Sequence, residues 1–278
     1  VATKLSKQLS KVSKRGPHRV LVGDLAYAGL PGRVYTPAEG NGIPGVVFAH
    51  DWKKDIEKYH GTLRHLASWG FAVVAPNTET GWIPDARGFA ADLESGLQIL
   101  TGVKLGTGNI TVSPGRLGLV GHGMGASAAV LAAAQRDNLR AVAALYPAKS
   151  HPKPEDVASR VSAAGLVIST NEEPIFDFGN AAKIAHNWGG DVVYREMIKG
   201  GAHVLSEDIL FKLATGTGGI KTRVREQVRG LTTGFLLHQL ADEKKYSVFS
   251  DPEAELKHSD VYSGEALEAK ADMGTFKP

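Results

Sequence analysis

No cysteine occurs among the 278 residues of the chain. That excludes disulfides, thiolate zinc sites and a cysteine nucleophile. Long apolar runs are missing too: none approaches the ~18 residues of a membrane span. Charge of one sign is not in excess. The 32 basic and 29 acidic side chains leave a net charge of +3, so no global field favours nucleic acid. H-E-x-x-H and related His/carboxylate spacings are absent, which gives no expectation of a metal, and no cofactor is implied. What remains is the composition of an ordinary folded protein, 42% hydrophobic and 22% charged, with length for one large domain.

The N-terminal VATKLSKQLSKVSKRG has neither an apolar h-region nor a small-residue cleavage site, and the expectation is a cytoplasmic protein. Leu5, Leu9 and Val12 fall on one helical stripe with Lys4, Lys7, Lys11 and Lys14 beside it. Residues 1–17 therefore read as a basic arm. Such an arm either docks on the domain or touches an anionic membrane surface; docking is favoured, because single basic helices bind membranes weakly.

Residues 18–250 carry the domain. HRVLVGDLAYAGLPGRVYTPAEG alternates apolar and polar residues around Gly-Leu-Pro-Gly, the pattern of an antiparallel hairpin. From there apolar runs alternate with amphipathic stretches. GVVFAHDW, FAVVAPN, RLGLVG, AVAALYP, GLVIST and DVVYREMI are strands suited to burial on both faces, with helical patterns between them and a long final helix, RVREQVRGLTTGFLLHQL. The alternation predicts a three-layer α/β fold with a central, mostly parallel sheet. Residues 251–278 are polar with little periodicity and read as a tail.

Ligands of parallel sheets bind at the carboxyl ends of the strands. Those ends carry His50-Asp51-Trp52, His122-Gly123-Met124, Glu172-Glu173 and Gly201-Ala202-His203. Gly121-His122-Gly123-Met124-Gly125 has the outline of a G-x-S-x-G nucleophile elbow with glycine at its centre. It also fits the dinucleotide fingerprint G-x-G-x-x-G/A through Ala126. Against that reading, the turn opens the third βα unit rather than the first, and residues 139–150 hold no acid. The later order favours a hydrolase: an acid within GLVISTNEEPIFD, then a histidine within MIKGGAHVLS.

These segments, with LLHQLADEKKYSVF as a final helix and a strand-like end, resemble the bacterial polyester hydrolases, the cutinase-like branch of the α/β-hydrolases. His-Asp-Trp also resembles the H-E-W of dienelactone hydrolases, where an acid sits close to the nucleophile. The resemblance implies an α/β-hydrolase fold and places the nucleophile at Gly123, the triad acid at Glu173 and the triad base at His203. Glu172 and Asp177 are neighbouring alternatives for the acid. One oxyanion amide falls on Met124; Asp51, Trp52 and His122 border the pocket, and a carboxylate at Asp51 opposes a developing oxyanion.

Glycine has no Oγ for His203 to activate, so no acyl-enzyme forms. Ser127 lies a helical turn further on and is expected to point away. The favoured expectation is a non-catalytic relative of carboxylic ester hydrolases that binds a small ester-like or acyl ligand or a protein partner. The alternative is an esterase whose serine was replaced by mutation, or an enzyme activating water through His203 or Asp51. The chain is expected to have negligible esterase activity, and Gly123→Ser to supply what is missing, with partial recovery.

Overall fold

The computed structural model describes residues 3–171, 179–198, 204–207 and 222–273. A nine-stranded sheet runs through them in the order β1-β2-β4-β3-β5-β6-β7-β8-β9. The expected hairpin is there: β1 (Val20–Asp24) pairs antiparallel with β2 (Gly32–Pro37), which pairs antiparallel with β4 (Ala72–Pro76). The centre is parallel, with β3 (Gly40–Ala49) between β4 and β5 (Ile110–His122), followed by β6 (Ala141–Leu145), β7 (Ala164–Thr170) and β8 (Val192–Met197).

Alternate residues of the central strands feed opposite cores. Val47, Ala49, Val74 and Leu119 face one helix layer, while Val46, Phe48, Val73 and Val120 face the other. The period-2 geometry of a strand thus turns a continuous apolar run into two buried faces. On the first side lie α3 (Ala86–Gly102), α4 (Met124–Ala133) and α5 (Ala181–His186). On the second lie α1 (Lys4–Val12), α2 (His60–Ser68) and α6 (Thr222–Gln239). In α3, Asp85 caps the helix by accepting from the Arg87 amide at 2.9 Å, and Phe89, Leu93, Leu97 and Leu100 form the buried stripe. Among the described residues no helix is long and apolar enough to cross a membrane.

Both ends of the chain are more integrated than their composition suggests. In the arm, Leu5, Leu9 and Val12 are buried and α1 packs on α6. Leu9→Ala is expected to cost about 2–3 kcal/mol, read from the urea midpoint, because it removes a core side chain rather than a surface one. The residues read as a tail supply the ninth strand, β9 (Ser259–Tyr262), antiparallel to β8, and α7 (Gly264–Asp272), whose Leu267 and Ala271 are buried. Their polarity is used internally. The buried Arg195 guanidinium donates to Ser259 Oγ at 2.9 Å and to the Ala254 carbonyl at 2.6 Å, and Lys270 pairs with Glu196 at 2.7 Å. The strand-like end expected after α6 is instead a 3₁₀ helix, Lys244–Ser250, which buries Tyr246 and Phe249.

His65 on α2 is buried, and burial with the neighbouring Arg229 charge pushes its pKa down to about 3. Its folded value thus lies below the ordinary ~6.5, so the unfolded chain takes up a proton that the folded chain refuses. Stability is unaffected above pH 6.5 and falls as the pH drops from there toward 3. Urea unfolding at pH 7, 6 and 5 is expected to show the His65→Leu variant losing less stability than the parent, by about 1 kcal/mol per pH unit near pH 5. Parallel slopes would place the proton uptake elsewhere.

Candidate functional site

Between β3 and β5 the chain changes direction across the sheet. From β3 it passes through α2 to β4 on one side; from β4 it returns through α3 over the other face to β5. The carboxyl ends of β3 and β5 therefore flank the crevice of a topological switch point. Ala49 pairs with Gly121 there, which sets His50-Asp51 beside His122-Gly123.

The strand-to-helix turn is an elbow in its backbone. Gly123 sits at φ 58°, ψ −120°, outside the regions ordinary side chains prefer, and its carbonyl accepts from the Ala126 amide as α4 begins. The flanking glycines are steric requirements. A Cβ on Gly121 would lie 2.1 Å from the Gly125 carbonyl oxygen, and one on Gly125 would lie 2.4 Å from that of Ala49.

The centre of the turn is occupied by a different residue. A Cβ built on Gly123 would lie 1.8 Å from Asp51 Oδ1 and 2.2 Å from Asp51 Cγ. The Asp51 carboxylate, reaching across from the end of β3, thus fills the space a side chain at 123 would need. Its Oδ1 accepts from the Met124 amide at 3.0 Å and from the Trp52 amide at 2.8 Å. Met124 opens α4, so this anion lies at the positive end of the helix, an arrangement worth about 1–2 kcal/mol when partly buried. The amide expected to face an oxyanion is already engaged.

Asp51 is held from behind by groups whose role the sequence did not disclose. Its backbone amide donates to the Tyr59 hydroxyl at 3.1 Å, and that hydroxyl lies 2.8 Å from His122 Nδ1. Burial pushes the Tyr59 pKa well up, so the hydroxyl keeps its proton while bridging Asp51 and His122. His50, fully buried, places Nδ1 2.9 Å from the Asp51 carbonyl oxygen and Nε2 2.7 Å from that of Thr78. Both carbonyls ask the ring to donate, yet burial is the larger influence and lowers its pKa. In the sequence Tyr59 appears only as one position of a helical stripe; nothing local marks it as a bridge between two strand ends.

At the mouth, Trp52 and Trp82 meet edge to face with centroids 6.2 Å apart, and the Trp52 indole donates to the Trp82 carbonyl at 3.3 Å. The Lys53 ammonium lies over both rings. Trp82 is 74% exposed, so it is not core, and with Trp52 it gives the crevice an apolar lip. Ser127 is fully buried and donates to the Ala148 carbonyl at 2.5 Å, away from the crevice. Glu173 and His203, with the alternatives Glu172 and Asp177, lie outside the described residues. Among the described residues no group of three His, Asp or Glu side chains is arranged to hold a metal ion.

Residues 30–190 match the model of the dienelactone hydrolase family, a span that contains Asp51 and the whole elbow. No curated protein matches the chain.

Proposed function

The chain belongs to the dienelactone hydrolase family, and from that premise we propose that it is a ligand-binding, cytoplasmic member that performs no acyl transfer at its elbow. One observation carries this reading: the Asp51 carboxylate stands where the nucleophile's side chain would be, with Met124 and Trp52 amides already bound to it. The site therefore lacks a nucleophile, and its main amide donors are neutralised from within. A small ester-like or acyl ligand would lodge against the Trp52–Trp82 lip instead. The arm has a structural part in this reading, since its apolar stripe is buried; contact with an anionic membrane would rest on its lysines alone.

A second reading makes Asp51 a base that activates water. It is favoured by Oδ2, which accepts no hydrogen bond among the described residues, both amides being bound to Oδ1. Hydrolysis of short-chain nitrophenyl esters separates the two. The expected result is a rate for the purified chain no higher than that of buffer. Turnover abolished by Asp51→Asn or by His203→Ala would establish an enzyme and overturn the binding reading.

A further inference from the structure

Away from the elbow, α1, α2 and α6 line an open cavity of about 870 Å³, within the range of small-molecule pockets, roughly 300–1,000 Å³. Six cations line it: Lys14, Arg15, Arg64, Arg223, Arg229 and Lys257. Of the six only Arg229 forms an ion pair among the described residues. The one carboxylate in the wall is that of Glu226. Nearby Glu207 is already committed, accepting from the Gly61 amide at 3.1 Å and pairing with Arg229 at 3.5 Å and Arg225 at 3.9 Å.

The rest of the lining suits an anion as well. Ser6 and Ser13 line it from the arm with their hydroxyl groups, while that of Ser10 donates to the Lys7 carbonyl at 2.8 Å. His65 in the wall is 5% exposed, and its Nε2 has no hydrogen-bond partner among the described residues. Like charges gathered on a concave surface repel one another, and the five cations without an ion pair, set against one acid in the wall, leave that repulsion largely unrelieved among the described residues. Guanidinium groups match phosphate oxygens in paired hydrogen bonds, which makes phosphate the anion that relieves it best.

We propose that this cavity is a binding site for phosphate groups, distinct from the elbow, with the N-terminal arm as one of its walls. The phosphate could come from a free small molecule or from a lipid headgroup, and the test has an arm for each. The full chain is titrated with inorganic pyrophosphate at low and moderate salt. It is also co-sedimented with phosphatidylglycerol vesicles and with neutral phosphatidylcholine vesicles. Saturable pyrophosphate binding that weakens with salt and falls about tenfold or more in Arg64→Ala/Arg223→Ala supports the site with a soluble ligand. Retention by anionic vesicles alone, lost in the same variant, supports it with a lipid ligand. Arg15→Ala/Lys257→Ala, both on exposed positions, is the second variant should the first fail to fold. Asp51→Gly is expected to bind like the parent. Absence of binding in both arms, or binding indifferent to both double variants, overturns the proposal.

Discussion

Gly123→Ser alone is expected to remain inert toward short nitrophenyl esters, whereas Gly123→Ser combined with Asp51→Gly is expected to turn them over. The single substitution puts a Cβ 1.8 Å from Asp51 Oδ1, so the carboxylate must leave its two amides before a serine side chain fits. The expectation that serine by itself supplies what the elbow lacks is thereby revised: the missing group and the intruding one occupy the same space. Removing Asp51 frees that space and the Met124 and Trp52 amides together. The backbone needs no remodelling, since Gly123 already holds the φ 58° of an elbow and serine's strain there costs only about 1–3 kcal/mol. Loss of a serine nucleophile costs ~10⁶ in kcat, and one oxyanion donor ~10²–10³. A gain of about 10³-fold over the parent is expected from the pair, incomplete because the site has been shaped around a carboxylate. His203→Ala in that background should remove it.

The second large effect is on folding. Gly125→Ala places its Cβ 2.4 Å from the Ala49 carbonyl oxygen and 2.5 Å from that of His50. Both obstacles are backbone of β3 and the turn after it, so no side chain can swing away. A loss of about 3 kcal/mol is expected from such overpacking, read as a fall in the urea midpoint. Gly102→Ala, at the exposed end of α3 with nothing within 4 Å, is the control; it should be neutral or gain up to about 1 kcal/mol. Equal loss in both would mean that α4 does not approach β3 as closely as described.

The strands of the central sheet could be read from the sequence because each is an apolar run that two cores share, a signal contained within five or six residues. The elbow glycines were legible for a similar reason, since their spacing expresses a local steric demand. The arm's stripe announced a helix face, and its burial settled where that face points. The last strand was not legible: Ser259–Tyr262 is short, and its anchor is the buried Arg195, a residue about sixty positions earlier. Asp51 is recognisable in the sequence as a carboxylate beside the elbow. That its carboxylate enters the nucleophile's own volume depends on the pairing of Ala49 with Gly121 and on the grip of Tyr59, both tertiary facts.

Covalent labelling with a fluorophosphonate tests the central claim most directly, because the reagent reports an activated serine without requiring turnover. The parent, Gly123→Ser, Asp51→Gly and the double variant are each incubated with reagent, and the mass of the intact protein is measured. Occupation of the elbow by Asp51 predicts one added label in the double variant, mapping to position 123, and none in the other three. Labelling of Gly123→Ser at the rate of the double variant would contradict it, because the carboxylate would then be no obstacle to a working nucleophile.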